Sequence, residues 1–263
     1  MSSLRNSLIN KLPDSLFVYF KNLQGMLNGT PARYLSNGGK IQVSDRGLFW
    51  TTHRNRAHLY SKGLIYRGRS IGKSYLLGNV DFKNRDVVID CGANMGDLQL
   101  FFWDLAVDIT YIGIEPNPID FDCLSKNKLG SATVLNLALW NERGNLKFWV
   151  DSESASSSLI EPPSFTEITT IDTVRLDQLA LPSRIKLLKI EGEGAEPEIL
   201  LGCSGILQKV EFISADVGPE RGVNQTSTRN DVVDFLLKNN FEIVQENPYH
   251  RKTILFKNKT QID

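Results

Sequence analysis

The sequence predicts an α/β fold, a mostly parallel sheet with helices on both faces. Three observations carry this. Short apolar runs without polar alternation recur at Val87-Val88-Ile89, Tyr111-Ile112-Gly113-Ile114, Ile185–Ile190 and Val210-Glu211-Phe212-Ile213-Ser214, and such runs suit strands covered on both faces. Segments of helical periodicity lie between them, the alternation that demands crossover connections and parallel neighbours. The first run leads straight into a turn, Asp90-Cys91-Gly92-Ala93-Asn94-Met95-Gly96, that opens a helix.

The elements follow in order. Residues 1–28 read as an amphipathic opening, with Leu8, Leu12, Leu16, Leu23 and Leu27 near helical spacing and a break at Pro13. The plain expectation is a helix packed on the domain; a homodimer contact or a membrane-surface contact is the alternative. Residues 32–68 carry short aromatic-rich segments divided by Gly38-Gly39, Gly47 and Gly63, which suggest small strands forming a lip. We therefore expect two units, residues 1–80 as an N-terminal helix with a small strand-rich cap and residues 81–263 as the main domain. Within the latter, helices are predicted over 97–107 and 118–129, a third strand over 132–138, and an added strand over 144–150 after the turn Glu142-Arg143-Gly144. A polar interval precedes the strand at Ile185, and a helix starts near Ala195. A further helix over 229–239 begins behind Ser227, Thr228 and Asn230, all plausible caps. Phe241–Gln245 and Thr253–Phe256, joined through Asn247-Pro248, read as an antiparallel edge hairpin.

Thirty Lys+Arg against thirty Asp+Glu leave no net field to hold a polyanion, which argues against nucleic acid as a partner. Three scattered cysteines form neither a disulfide framework nor a metal-binding CxxC pair. No stretch approaches the ~20 apolar residues of a membrane span. Lys11, Pro13, Asp14 and Lys21 break the apolar run that a secretory signal needs. A cytoplasmic protein with no integral membrane segment is the expectation.

The turn after the first strand lets backbone N–H groups approach a ligand at a helix N-terminus. It lacks the middle glycine of the dinucleotide fingerprint and the Gly-Lys-Ser/Thr of a phosphate loop. Glu115, 25 residues after Asp90 at the end of the second strand, is placed to accept ribose hydroxyls. A nucleoside ligand without a pyrophosphate loop suggests S-adenosylmethionine. A nicotinamide-dependent oxidoreductase and a non-catalytic nucleoside-binding module remain the competing classes.

Four segments in order, Asp90–Gly96, Glu115-Pro116-Asn117-Pro118, Leu176-Asp177-Gln178-Leu179 and Leu188-Lys189-Ile190-Glu191-Gly192-Glu193-Gly194-Ala195-Glu196, resemble the FkbM-type methyltransferase family, whose pattern reads D-x-G-A-N-x-G, E-P-N, L-D-x-L and K-I-D-V-E-G-A-E. The resemblance covers about residues 65–257. It implies a Rossmann-like class I methyltransferase with a mostly parallel seven-stranded sheet, and S-adenosylmethionine as cofactor. It also implies O-methylation of a sugar, a glycolipid or glycan precursor, or a natural product, as a small or carrier-linked acceptor. By the same resemblance Asp90, Gly92, Ala93, Asn94 and Gly96 hold the methionine part, Glu115 binds the ribose, and Asn136 and Ala138 lie near the adenine. The sequence departs from the pattern at Glu191, where the family has Asp, and at Gly192, where it has a β-branched residue.

Methyl transfer to oxygen needs an aligned and often deprotonated acceptor. Lys189, Glu191, Glu193 and Glu196 crowd the end of the fourth strand. Glu191 and Glu193 are the candidate catalytic carboxylates, and Lys189 either orients the acceptor or pairs with one of them. Glu196 reads as a helix-start carboxylate. Asp216, Glu220 and Arg221, after the fifth strand, are candidates for binding a polyhydroxylated acceptor. His53, with His58 beside Arg54 and Arg56, is a possible base or rim residue, and His250 reads as structural. The serine-rich stretch 152–158 is expected near the mouth of the site. No His–carboxylate spacing supports a metal.

Overall fold

Seven strands make the central sheet: β4 (Val87–Cys91), β5 (Thr110–Ile114), β6 (Thr133–Leu135), β10 (Ile185–Ile190), β11 (Val210–Asp216), β14 (Phe241–Glu246) and β15 (Thr253–Asn258). Their order across the sheet is β14-β15-β11-β10-β4-β5-β6. The computed structural model describes residues 12–151, 157–247 and 251–260. Strands β11, β10, β4, β5 and β6 run parallel, and β15 is antiparallel to both β11 and β14. The expected edge hairpin is thus present. Strands β4, β5, β10 and β11 read as apolar runs because helices cover both faces. One face packs Ile89, Ile114, Leu188, Ile190 and Ile213 against α5 (Glu196–Leu201) and α6 (Arg229–Lys238). The other packs Val88, Tyr111, Leu187 and Phe212 with Leu98 and Phe102 of α3 (Leu98–Leu105) and Leu124 of α4 (Pro118–Lys126).

Several expectations need correction. The stretch 132–138 is not one strand: it ends at Leu135, and Ala138 begins β7 (Ala138–Leu139) in a separate sheet. The strand β8 (Gly144–Val150) belongs there too, paired to β9 (Glu167–Val174) in the order β7-β9-β8. Strand β9 lies inside what reads as a polar interval. Half of its residues are exposed and only Thr173 is buried, so no apolar run marks it, and only the β-branched content of Ile168, Thr169, Thr170, Ile171, Thr173 and Val174 signals it. A last pair, β12 (Pro219–Arg221) with β13 (Thr226–Ser227), precedes α6.

The N-terminal part holds α1 (Asp14–Leu27) and three antiparallel strands, β1 (Arg33–Asn37), β2 (Lys40–Asp45) and β3 (Leu48–Thr52). Their two-residue loops, Gly38-Gly39 and Arg46-Gly47, all take positive φ, the hairpin turns that match strand twist. Within α1 the expected leucine stripe faces outward: Leu16, Leu23 and Leu27 are exposed, and Phe17 and Gly25 form the packed side. Leu8 lies outside the described residues. Phe17, Tyr34, Val43 and Trp50 share one core cluster with Met95, Leu100 and Cys123 of the sheet-bearing part. A short 3-10 turn (Arg54–Tyr60) then leads to α2 (Leu64–Ser74), a helix whose Gly68 and Gly72 weaken its signature. Those glycines are there for contact. A Cβ on Gly68 would lie 2.5 Å from the Leu100 carbonyl oxygen, and one on Gly72 2.2 Å from the Phe101 ring. Among the described residues no helix is long and apolar enough to cross a membrane.

Candidate active site

The carboxyl ends of β4, β5 and β10 open onto a cavity of about 460 Å³, where open α/β sheets place their ligands. The turn after β4 forms its floor. Gly92 has φ +73°, and a Cβ there would sit 2.1 Å from the Glu191 carbonyl oxygen, so the β4 and β10 loops touch only because this residue is glycine. The Gly92 and Ala93 N–H groups both donate to the Ile114 carbonyl. Asn94 takes φ +50° and donates its N–H to Glu115 Oε2 at 2.7 Å, while Asn117 N–H donates to Glu115 Oε1 at 2.8 Å. Burial, and then the nearby Asp120, push the Glu115 carboxyl up to about 8. Each of its oxygens keeps a further lone pair for a ligand hydroxyl.

Lys189 is buried at the centre. Its Nζ lies 2.9 Å from Asp90 Oδ1 and 3.1 Å from Glu191 Oε2, and donates to the carbonyls of Cys91 (3.1 Å) and Gly92 (2.8 Å). Three N–H bonds facing four acceptors leave no proton for a ligand. Asp90 Oδ2 accepts from Tyr111 Oη at 2.6 Å, while the buried Oδ1 has the Lys189 ion pair and no hydrogen bond among the described residues. Glu191 accepts from Tyr75 Oη and from Arg251 Nη1 as well as pairing with Lys189. Burial works to raise its pKa, but Lys189 and Arg251 outweigh burial and hold it at about 2. A carboxylate bound so tightly is a poor proton acceptor.

Glu193 and Glu220 differ. Both line the cavity, and among the described residues neither carboxyl has a hydrogen bond to the protein. Glu193 takes φ +49°, a costly backbone for a non-glycine residue. Burial, then Glu220 and Glu191, push it well above the usual carboxylate range. Burial, then Asp216 and Glu191, raise Glu220 to about 8. Glu196 sits behind them, accepting from the Gly192 and Gly194 N–H groups (2.8 and 3.2 Å) and from Thr228 Oγ1 (3.0 Å).

Of the residues singled out from the sequence, Asp90, Gly92, Ala93, Asn94, Glu115, Ala138, Lys189, Glu191, Glu193 and Glu220 line the cavity. Five lie outside its lining. Gly96 packs beneath the turn against Gln99 and Leu124. Asn136 donates to the Glu115 and Pro116 carbonyls, tying two strand ends together. Asp216 is buried, accepting from Gly218 N–H, with Arg251 at 3.5 Å. Arg221 grips Glu198 through two bonds and also reaches the Gly194 carbonyl. His53 lines a small neighbouring recess, 3.1 Å from Asp120 Oδ1. That carboxylate and the Cys123 sulfur raise its pKa to about 9. Asp177 of the Leu-Asp-x-Leu segment holds Arg175 and the Gly205 N–H, away from the cavity. Residues 152–156 and His250 lie outside the described residues, and Ser157 and Ser158 line the cavity.

Arg56 and His58, named from the sequence beside His53, line it as well, and sequence reasoning missed Tyr75, Arg251 and Arg67. None sits in a motif, and α2 and the edge hairpin are brought in only by packing. Among the described residues no grouping of three His, Cys, Asp or Glu side chains could hold a metal.

The strand order, the antiparallel β15 and a cavity at the carboxyl ends of β4, β5 and β10 define a Rossmann-like methyltransferase fold. The profile of the FkbM methyltransferase domain matches residues 90–243, and the chain belongs to that family of methyltransferases. It is 27% identical over 138 residues to the hexuronic acid methyltransferase AglP of Haloferax volcanii, a match covering 50% of this chain and 56% of that protein. The chain thus spans little more than half the length of that relative. Among solved structures it is similar to the FkbM methyltransferase of Methylobacillus flagellatus, at 17% identity, with 68% of this chain and 45% of that chain covered and a TM-score of 0.49. It is similar also to M. capricolum TrmK in complex with S-adenosyl-homocysteine, at 11% identity, 72% and 68% coverage and a TM-score of 0.41.

Proposed function

We propose that the protein is an S-adenosylmethionine-dependent O-methyltransferase acting on a polyhydroxylated, sugar-like acceptor, free or carrier-linked. The observation that carries this reading is one cavity joining Glu115, suited to a ribose diol, to Glu193 and Glu220, two carboxyls without hydrogen-bond partners among the described residues. Its volume lies within the usual range for a ligand of nucleoside size, and the open face of the Gly92–Asn94 turn suits the rest of the cofactor. S-adenosylmethionine, when bound, supplies an electrophilic methyl group on a sulfonium. The chain's own part is to hold the acceptor and take its proton. Glu191, kept ionised by Lys189, Arg251 and Tyr75, forms with them a charge-matched cluster that fixes this wall of the cavity. Glu220, with a pKa near working pH, is the better general base, and Glu193 beside it serves as hydrogen-bond donor or acceptor to a second hydroxyl. The base role that the sequence suggests for Glu191 therefore moves to Glu220. Kinship with a hexuronic acid methyltransferase supports a carbohydrate-like acceptor. The test is titration calorimetry with S-adenosylhomocysteine and, separately, NAD. Transfer of labelled methyl to sugars, uronic acids and nucleotide sugars follows. Binding of NAD alone sinks the reading, and cofactor binding with no transfer to any hydroxyl compound sinks the acceptor class.

A further inference from the structure

Three elements of the N-terminal part converge on one buried carboxylate. Trp50 Nε1 (β3) donates to Asp97 Oδ1 at 2.9 Å, Tyr60 Oη donates to the same oxygen at 2.7 Å, and Arg67 Nε (α2) donates to Oδ2 at 2.6 Å. Asp97 is 6% exposed, and it directly precedes α3. A buried carboxylate with three donors is well satisfied. The arrangement does more than satisfy it, because it fixes the Arg67 guanidinium by its Nε edge alone. Among the described residues neither terminal nitrogen of Arg67 donates a hydrogen bond, and Arg67 lines the cavity.

Arg67, Ile71 and Tyr75 recur every fourth residue along one face of α2 and its C-terminal end, and all three line the cavity. The wall therefore has a polarity. At its Tyr75 end the Glu191 carboxylate is already matched by Lys189 and Arg251, whereas its Arg67 end presents an open guanidinium beside the N-terminus of α3, whose dipole also favours an anion. A ligand that carries an anion to the Arg67 end complements this wall. The amino-acid arm of S-adenosylmethionine ends in such an anion, its α-carboxylate.

We propose that Arg67, held by Asp97, binds the α-carboxylate of the cofactor's amino-acid arm, so that the N-terminal part is a wall of the cofactor site. This rests on the S-adenosylmethionine reading above. Two terminal N–H groups in a fixed fork suit bidentate capture of a carboxylate.

The experiment compares two ligands on three proteins by titration calorimetry. S-adenosylhomocysteine carries the amino-acid arm; 5′-methylthioadenosine keeps the nucleoside and thioether and lacks that arm. The wild-type protein is expected to bind both. Arg67→Met is expected to weaken S-adenosylhomocysteine about 10- to 100-fold, the usual loss for a charge-assisted hydrogen bond, and to leave 5′-methylthioadenosine within about twofold. Unchanged affinity for S-adenosylhomocysteine, or an equal loss for both ligands, overturns the assignment. A wild-type protein that binds neither ligand instead removes the cofactor reading on which it stands. Arg67→Lys covers the case in which the Met variant leaves Asp97 unpaired and does not fold. It keeps a cation beside Asp97 but loses the fork, and the same ligand-selective loss, of smaller size, is expected.

Discussion

Lys189 Nζ stands 2.9 Å from Asp90 Oδ1 on the neighbouring strand, with both side chains buried. The pair lies across the β4–β10 register, in which Lys189 is opposite Asp90. Because Lys189 also holds Glu191 and two carbonyls of the β4 turn, it fixes the two loops that form the cavity floor.

Removing that cation leaves two buried carboxylates uncompensated. Lys189→Met is expected to destabilise the fold by about 3–5 kcal/mol, the scale for breaking a buried pair from one side. Urea denaturation measures it. A loss below about 1 kcal/mol would show that water already screens the site.

The proposed base predicts the pH profile. Glu220 accepts a proton only when ionised, and its pKa is about 8. Activity should therefore rise roughly tenfold per pH unit below about 8 and level off above it. Glu220→Gln should abolish that rising limb and lower turnover by about 10²–10⁴-fold. Glu191, ionised throughout this range at a pKa of about 2, predicts a different outcome: Glu191→Gln lowers the rate but keeps the limb. Initial rates from about pH 6 to 9.5 on the three proteins decide the matter. A limb that survives in the Glu220 variant moves the base elsewhere.

How much of this is legible in the sequence follows from where each signal arises. Strands β4, β5, β10 and β11 declare themselves because both faces are covered and nearly every position is apolar. Strand β9 does not, since only one of its residues, Thr173, is buried. Helix α2 is masked by Gly68 and Gly72, which serve α3 rather than α2. In the site, the acidic residues cluster in sequence at strand ends and are easily found. What sets their chemistry is Arg251, 60 residues beyond Glu191, and Tyr75, 116 before it. Local reading sees the carboxylate and the neighbouring Lys189 but not the distant Arg251 and Tyr75 that complete its pairing, so Glu191 looks like the catalytic group and Glu220 like an accessory.

Glu115 predicts a second pH dependence, this time in binding. Its carboxyl is pushed up to about 8 by burial and by Asp120. The ionised form accepts more hydroxyl hydrogen bonds, so cofactor affinity should strengthen as pH rises from about 6.5 through 8. Glu115→Ala should weaken binding by about 1–3 kcal/mol and remove the pH dependence. Calorimetric titration with S-adenosylhomocysteine at several pH values reads both. Equal affinity in the two proteins excludes Glu115 from the cofactor site.

The α2–α3 seam tests the packing directly. Gly68→Ala in a helix interior gains about 1 kcal/mol in propensity, which alone would stabilise the protein. Here the new methyl meets backbone, 2.5 Å from the Leu100 carbonyl oxygen and 2.8 Å from the Phe101 nitrogen, and backbone cannot rotate away. Overpacking of this kind costs about 1–3 kcal/mol and often more against main chain, so we expect a net loss. At Gly72 the obstacle is the Phe101 ring, 2.2 Å from where the alanine Cβ would stand, and a side chain can shift. Gly72→Ala should therefore cost less than Gly68→Ala, although its nominal contact is closer. Thermal denaturation of both variants gives the order. If the Gly72 variant is the less stable, the Phe101 ring is locked between Phe82 and Phe102, its edge-to-face neighbours, and α2 rests on that aromatic cluster more than on the α3 backbone.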